Sequence, residues 1–130
     1  MLGQYAGLVK KGRCFLMLIF KILLPQEWRE LQRDRQTDGA PIDVQDGYIH
    51  FSTAAQLRET AARHFAGEKE IFILACDSEQ MEGPLKWEES RGGDLFPHLY
   101  ERLDIRSILW HEVVTLKNGW HQFSDRIPLA

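Results

Sequence analysis

From Glu70 to Asp77 the chain reads EIFILACD, an unbroken apolar run closed at each end by an acid. A run this short is a strand, and alternation along a strand gives it apolar residues on both faces. It predicts a central strand that the rest of the chain has to cover. LIFKILL (18–24) reads as a second buried strand, with the charge of Lys21 in its middle. PQEWRELQRD (25–34) reads as a helix. Pro25 falls in its first turn, where a missing N–H costs nothing, and Leu24, Trp28 and Leu31 share one stripe.

The segment after this helix, RQTDGAPIDVQDG (35–47), is polar and turn-rich and is predicted to be a long, functional-type loop. YIHFS (48–52) then reads as a strand that stops at a helix start. Thr53 and Gln56 have the spacing of a capping box, and the helix is predicted to run to about Ala66. Leu57, Ala61, His64 and Phe65 form its inner stripe, and Gly67 its C-cap. LKWEES (85–90) alternates, with Leu85 and Trp87 on one face and Lys86 and Glu88 on the other. RGGDLFPHLY (91–100) reads as a loop, IRSILWHEVVTL (105–116) as a strand, and NGW as a turn into a last short strand near Trp120–Phe123. The order is β-α-β-α and then mainly β. It does not alternate as a doubly wound parallel sheet would, so the expectation is an α+β domain with helices on mixed or antiparallel sheet.

Composition narrows the function classes. The 130 residues suit one domain, and a net charge of −3 gives no strong nucleic-acid signal and no membrane signal. Cys14 and Cys76 have neither a disulfide-framework nor a zinc spacing, and a reducing, cytoplasmic setting is the default. Lys10, Lys11 and Arg13 precede an apolar run in the order of a signal peptide. Lys21 interrupts that run, however, and no small-residue cleavage site follows it. Residues 1–16 are therefore expected to be an extension outside the fold, with Met17 as the natural start and residues 17–130 as the domain.

Several polar side chains stand where the pattern predicts burial or a cleft. His50 and Ser52 share a strand face about 7 Å apart. Lys21 and Glu88 each sit in a strand, where they either compensate each other or line a wet cleft. Arg91 beside a Gly pair suits an anion, Pro97 fixes the backbone around His98, and Phe96 and Tyr100 add aromatic faces. Each has a plainer reading: His50 as a bonded core histidine, Ser52 as a strand-end cap, Glu88 as half of a solvated pair with Lys86. No phosphate-binding loop, dinucleotide fingerprint, nucleophile elbow or metal motif occurs.

IFKILLPQEW, DGYIHFS, LKWEES and FPHLY, in this order and spacing, resemble the Domain of Unknown Function 952 family over essentially residues 17–125. The resemblance implies an ADP-ribosyltransferase-like fold: split antiparallel sheets flanking a nicotinamide-dinucleotide cleft, with helices packed on them. It implies NAD as the cofactor to test. By the motif, Lys21 takes the first-strand position that contacts the dinucleotide, Ser52 stands near the second-strand position, and Glu88 is the candidate acid. Lys21 departs from the His or Arg usual at its position, and His50 is the residue placed to substitute for it. The expected site is then Glu88 and His50 as catalytic residues, with Lys21, Ser52, Arg91, His98 and Tyr100 around the ligand.

Three functions compete at this level. One is an ADP-ribosyltransferase-like domain whose cleft binds a nucleotide or phosphorylated small molecule. Another is a non-catalytic interaction module on the same fold, and the third an RNA phosphotransferase-like enzyme. Fold alone does not choose among them.

Overall fold

The structure, a computed structural model, describes residues 17–129. Residues 1–16, and with them Cys14 and the expected extension, lie outside the described residues. EIFILACD forms β4 (Glu70–Asp77), and its neighbours are β1 (Leu18–Leu23) on one side and β8 (Ile108–Lys117) on the other, both antiparallel. A short β9 (Trp120–His121) pairs with the far end of β8 and completes a four-stranded sheet.

Both faces of this sheet are covered at β1 and β4, as an all-apolar central strand requires, while Leu109, His111 and Val113 leave one face of β8 exposed. On one face Phe20, Ile22, Ile71, Ile73 and Ala75 pack against Leu57 and Ala61 of α3 (Ala54–His64). On the other, Ile19, Leu23, Leu74 and Cys76 meet Trp28 and Leu31 of α1 (Pro25–Asp34), together with Ile49, Leu85 and Leu99 of a second sheet. That second sheet has β3 (Ile49–His50), β6 (Leu95–Leu99) and β5 (Leu85–Glu89) in the order β3-β6-β5, again antiparallel. One isolated bridge, Phe20 to Ser52, joins the two sheets. A two-stranded ladder of β2 (Gln36–Thr37) and β7 (Leu103–Asp104) closes one side. The architecture is α+β with antiparallel sheets. Among the described residues no helix is long and apolar enough to cross a membrane.

The local readings depart from the structure in five places. The 35–47 segment is not one loop: it holds β2 and a short helix, α2 (Pro41–Asp46), started by Pro41 and ended by Gly47 in the left-handed region. The 48–52 strand shrinks to two residues, because Ser52 leaves β6 to pair with Phe20. The 91–100 loop contains β6, with Pro97 inside it. Pro97's carbonyl accepts from Phe51 N, so its missing N–H also faces the side where β3 has just ended, and no ladder bond is lost. A single 3₁₀ turn, Ile105–Ser107, precedes β8, which starts at Ile108. α3 ends at His64 with Phe65 as its cap, so Gly67 lies two residues beyond, and His64 is exposed, not on the inner stripe.

Candidate functional site

The site is built where α2, β3, β6 and β5 meet the first strand. β3 and β6 pair His50 with His98, and β6 and β5 pair His98 with Lys86 and Phe96 with Glu88. Alternation therefore puts His50, His98 and Glu88 on one face, opposite the core residues Ile49, Leu99 and Leu85.

Asp43 is the hub, and it was missed in the sequence. It is buried, and each of its oxygens takes two donors. Oδ2 accepts from Lys21 Nζ at 2.6 Å and from Ala40 N at 2.8 Å. Oδ1 accepts from His50 N at 3.1 Å and from His50 Nδ1 at 2.5 Å. Burial alone pushes the Asp43 carboxyl up, but the His50 bond, the Lys21 charge and the Ala40 amide outweigh it and hold it below the usual carboxylate range. Lys21 is thus compensated by Asp43 and not by Glu88, and its amine also donates to the His50 carbonyl. The signal that marks Asp43 is local: in APIDVQDG, Pro41 and the acid at the third helical position announce a helix start, and Gly47 its end. Six residues are too few for an apolar stripe, so periodicity could not find it.

The outer nitrogen of His50, Nε2, faces Asp46 Oδ2 at 3.0 Å, one helical turn after Asp43. Beside it stands a second imidazole–carboxylate pair. His98 Nδ1 lies 2.7 Å from Glu88 Oε1, and the Tyr100 hydroxyl donates to the same oxygen at 2.8 Å. The His98 bond, and then the Tyr100 bond, hold the Glu88 carboxyl low, while the same contact raises the Tyr100 hydroxyl to about 12. Tyr48 lies between the pairs. Its ring stacks on His98 with centroids 4.1 Å apart and contacts His50 at 4.7 Å and Tyr100 at 5.2 Å. Desolvation, and then the nearby carboxylates, raise the Tyr48 hydroxyl.

Of the residues expected from the sequence, Lys21, His50, Glu88, His98 and Tyr100 converge here, and Tyr48, Asp43 and Asp46 join them. Ser52 does not: its hydroxyl donates to Thr60 of α3, because the bridge to Phe20 turns the chain away after His50. The side chain of Arg91 lies outside what is described. His111 contacts Trp28, and His121 meets the Glu68 carbonyl, both away from the cluster.

The cluster is shallow and half open, with Glu88 39% and His50 33% exposed at the side chain. A cavity of about 390 Å³ adjoins it, lined in part by Asp43, Tyr48, Tyr100 and Arg102. A larger hollow of about 680 Å³, between α3 and β9, contains none of the cluster's residues. Asp43, Asp46 and Glu88 stand with buried Lys21 and two imidazoles, Lys86 lies over the Tyr100 ring at 5.9 Å, and Arg102 lines the adjoining cavity. The aromatic faces suit a ligand with a cationic ring. Among the described residues no group of three His, Cys, Asp or Glu side chains is placed to hold a metal ion.

A family model described as a protein of unknown function, DUF952, matches residues 22–111. The crystal structure of protein CC0527 from Caulobacter crescentus is similar, with 38% identity, 85% of this chain and 97% of that chain covered, and a TM-score of 0.81. The solution NMR structure of CC0527 matches at 37% identity over 88% of this chain and 100% of that one, with a TM-score of 0.78. No curated protein matches.

Proposed function

The chain belongs to the DUF952 family, and we propose that in this member the Tyr48–His50–Glu88–His98 cluster binds the nicotinamide-ribosyl end of NAD and cleaves its glycosidic bond, as an ADP-ribosyltransferase-like enzyme. The observation that carries the reading is Glu88. Its carboxylate is fixed as an anion by His98 and Tyr100, half exposed, beside the aromatic face of Tyr48. When the bond from ribose C1′ to the pyridinium nitrogen breaks, its electron pair leaves with neutral nicotinamide and positive charge builds on the ribose. A preoriented carboxylate lowers the energy of that state. Water or another acceptor then adds at C1′ and gives up a proton, for which His50 Nε2 is the base.

The electrostatics separate this reading from phosphoryl transfer. A transferring phosphoryl group needs cations around its oxygens. Here Lys21 is paired with Asp43 and Arg102 with Asp38, and Lys86 lies over the Tyr100 ring beside Glu88, so the cations near the cluster already face carboxylates or a ring. The cluster occupies the face of the β3-β6-β5 sheet turned away from the core shared with the four-stranded sheet. Lys21 then acts behind the site through Asp43, and Ser52 by joining the sheets.

The test is calorimetric binding of NAD together with chromatographic detection of released nicotinamide. Glu88→Gln keeps size and hydrogen bonding but removes the charge. It should leave binding nearly unchanged and lower turnover by about 10²–10³-fold, the cost of losing one preorganised electrostatic group. Protein that neither binds nor hydrolyses NAD at millimolar concentration would end this reading. A binding module without chemistry is the second reading, favoured by the fact that Asp43, Asp46 and Glu88 all have protein partners already. Binding without any nicotinamide release would select it.

A further inference from the structure

We infer that Asp43 is the positioning residue of the cluster: it holds the His50 ring with Nδ1 protonated and turned inward, so that Nε2 is the working nitrogen, with Asp46 as its exchangeable partner. The role of His50 as a base rests on the function proposed above; the orientation and tautomer stand on the geometry alone.

An ionised carboxylate only accepts hydrogen bonds, so the Nδ1 facing Asp43 Oδ1 must carry a proton. A neutral imidazole has one N–H, and this contact fixes which nitrogen has it. The backbone N–H of His50 donates to the same oxygen, which holds Oδ1 beside the ring. The surroundings are shaped to this carboxylate. Asp43 is the buried residue of α2, while Ile42 and Val44 beside it are exposed, so the helix is anchored by a charge and not by an apolar contact. Gly39 lies against it, where a Cβ would overlap the carboxylate. Lys21, beyond Asp43 on β1, supplies the opposite charge.

Asp46 completes the arrangement. Its contact with Nε2 is a hydrogen bond only while that nitrogen is protonated too. Once Nε2 loses its proton, two lone-pair-bearing atoms face each other, and the Asp46 side chain, 34% exposed, is free to swing into solvent. His50 therefore alternates between a closed form, protonated at both nitrogens and bracketed by two carboxylates of α2, and an open form with Nε2 available. The groups around the ring are Asp43 and Asp46 of α2, Tyr48 ahead of β3, and His98 of β6 with Glu88 of β5 and Tyr100 behind it. Lys21 of β1 stands beyond Asp43. A purely structural lysine–aspartate pair would need neither the imidazole nor Asp46.

Long-range ¹⁵N–¹H correlation spectra of the full chain, recorded above the histidine titration range and assigned through loss of signal in His50→Asn, decide the matter. The expected result is a single Nδ1–H tautomer for His50, unchanged in Asp46→Asn. An Nε2–H tautomer, or a mixture of the two, in the wild-type protein would overturn the inference. These spectra need no turnover. A protein inert toward NAD that shows the Nδ1–H form loses the proposed reaction and keeps the positioning role. Where Asp43→Asn folds, it should release the tautomer into a mixture and, if NAD is turned over, lower kcat with little change in KM. Asp43→Asn retaining the pure Nδ1–H form would also count against Asp43.

Discussion

Four donors on one carboxylate make Asp43 the residue with most to lose. Removing its charge leaves Lys21 buried without a counter-ion and strands at least one amide or imidazole donor. Breaking a buried pair in this way costs about 3–5 kcal/mol, so Asp43→Asn should lower the urea unfolding midpoint sharply without changing the slope. Gly39→Ala should destabilise too. Its φ of +101° lies in the left-handed region, and the new Cβ would collide with Asp43. Acid should act on the same carboxylate. Because the folded Asp43 pKa is depressed, its contribution is present above the unfolded value of about 3.9 and is lost as pH falls through the folded pKa. Stability measured from about pH 5 downward should fall more steeply in the wild type than in Asp43→Asn; parallel curves would show that Asp43 adds nothing. Lys21 was legible in the sequence as a charge in an apolar strand, because an interruption stands out against a pattern. Its partner was not, because an acid in a polar, turn-rich stretch stands out against nothing.

Among the elements, those with a full local signal were read to within a residue or two. α1 runs from Pro25 to Asp34 as its stripe and Pro25 indicate, and the Glu27 carboxylate accepts from the Leu24 N–H at its start. α3 begins with the expected reciprocal cap: Thr53 Oγ1 accepts from Gln56 N, and Gln56 Oε1 accepts from Thr53 N. Thr53→Ala should cost about 1 kcal/mol, seen as a lower melting temperature. A larger loss would mean that Thr53 does more than cap, because Gln56 also bonds the Leu95 carbonyl and so ties this helix start to β6. β6 itself was hidden by its composition. Gly92, Gly93 and Pro97 are loop signals in isolation, and only the early end of β3 lets Pro97 sit in a strand between two others. β3 was misjudged for the complementary reason. Its alternation continues to Ser52, but pairing is a property of the partner strands, and Ser52 is captured by Phe20 of β1. The candidate site inherits both errors: His98 comes from a strand, and Ser52 drops out.

At the scale of the molecule, β1 and β4 contribute side chains to both apolar clusters, so the two cores cannot come apart without breaking the same sheet. That α+β layering was readable from the element order, while the pairing β3-β6-β5, which builds the site, depends on contacts distant in sequence. Cys76 offers a probe of the shared sheet. It lies in the central strand, fully buried, with its thiol pushed up to about 12 by desolvation and then by the neighbouring Asp77. A thiol reacts as the thiolate, and here both access and ionisation are denied in the folded state. Alkylation should therefore wait for an opening of the sheet that exposes β4. In a Cys14→Ser chain, which leaves Cys76 as the sole thiol, the labelling rate should be very low in native buffer and should rise with urea as steeply as global unfolding does. If labelling were fast, or nearly independent of urea, β4 would be opening locally, and the two cores would not be bound into one cooperative unit by the strand they share.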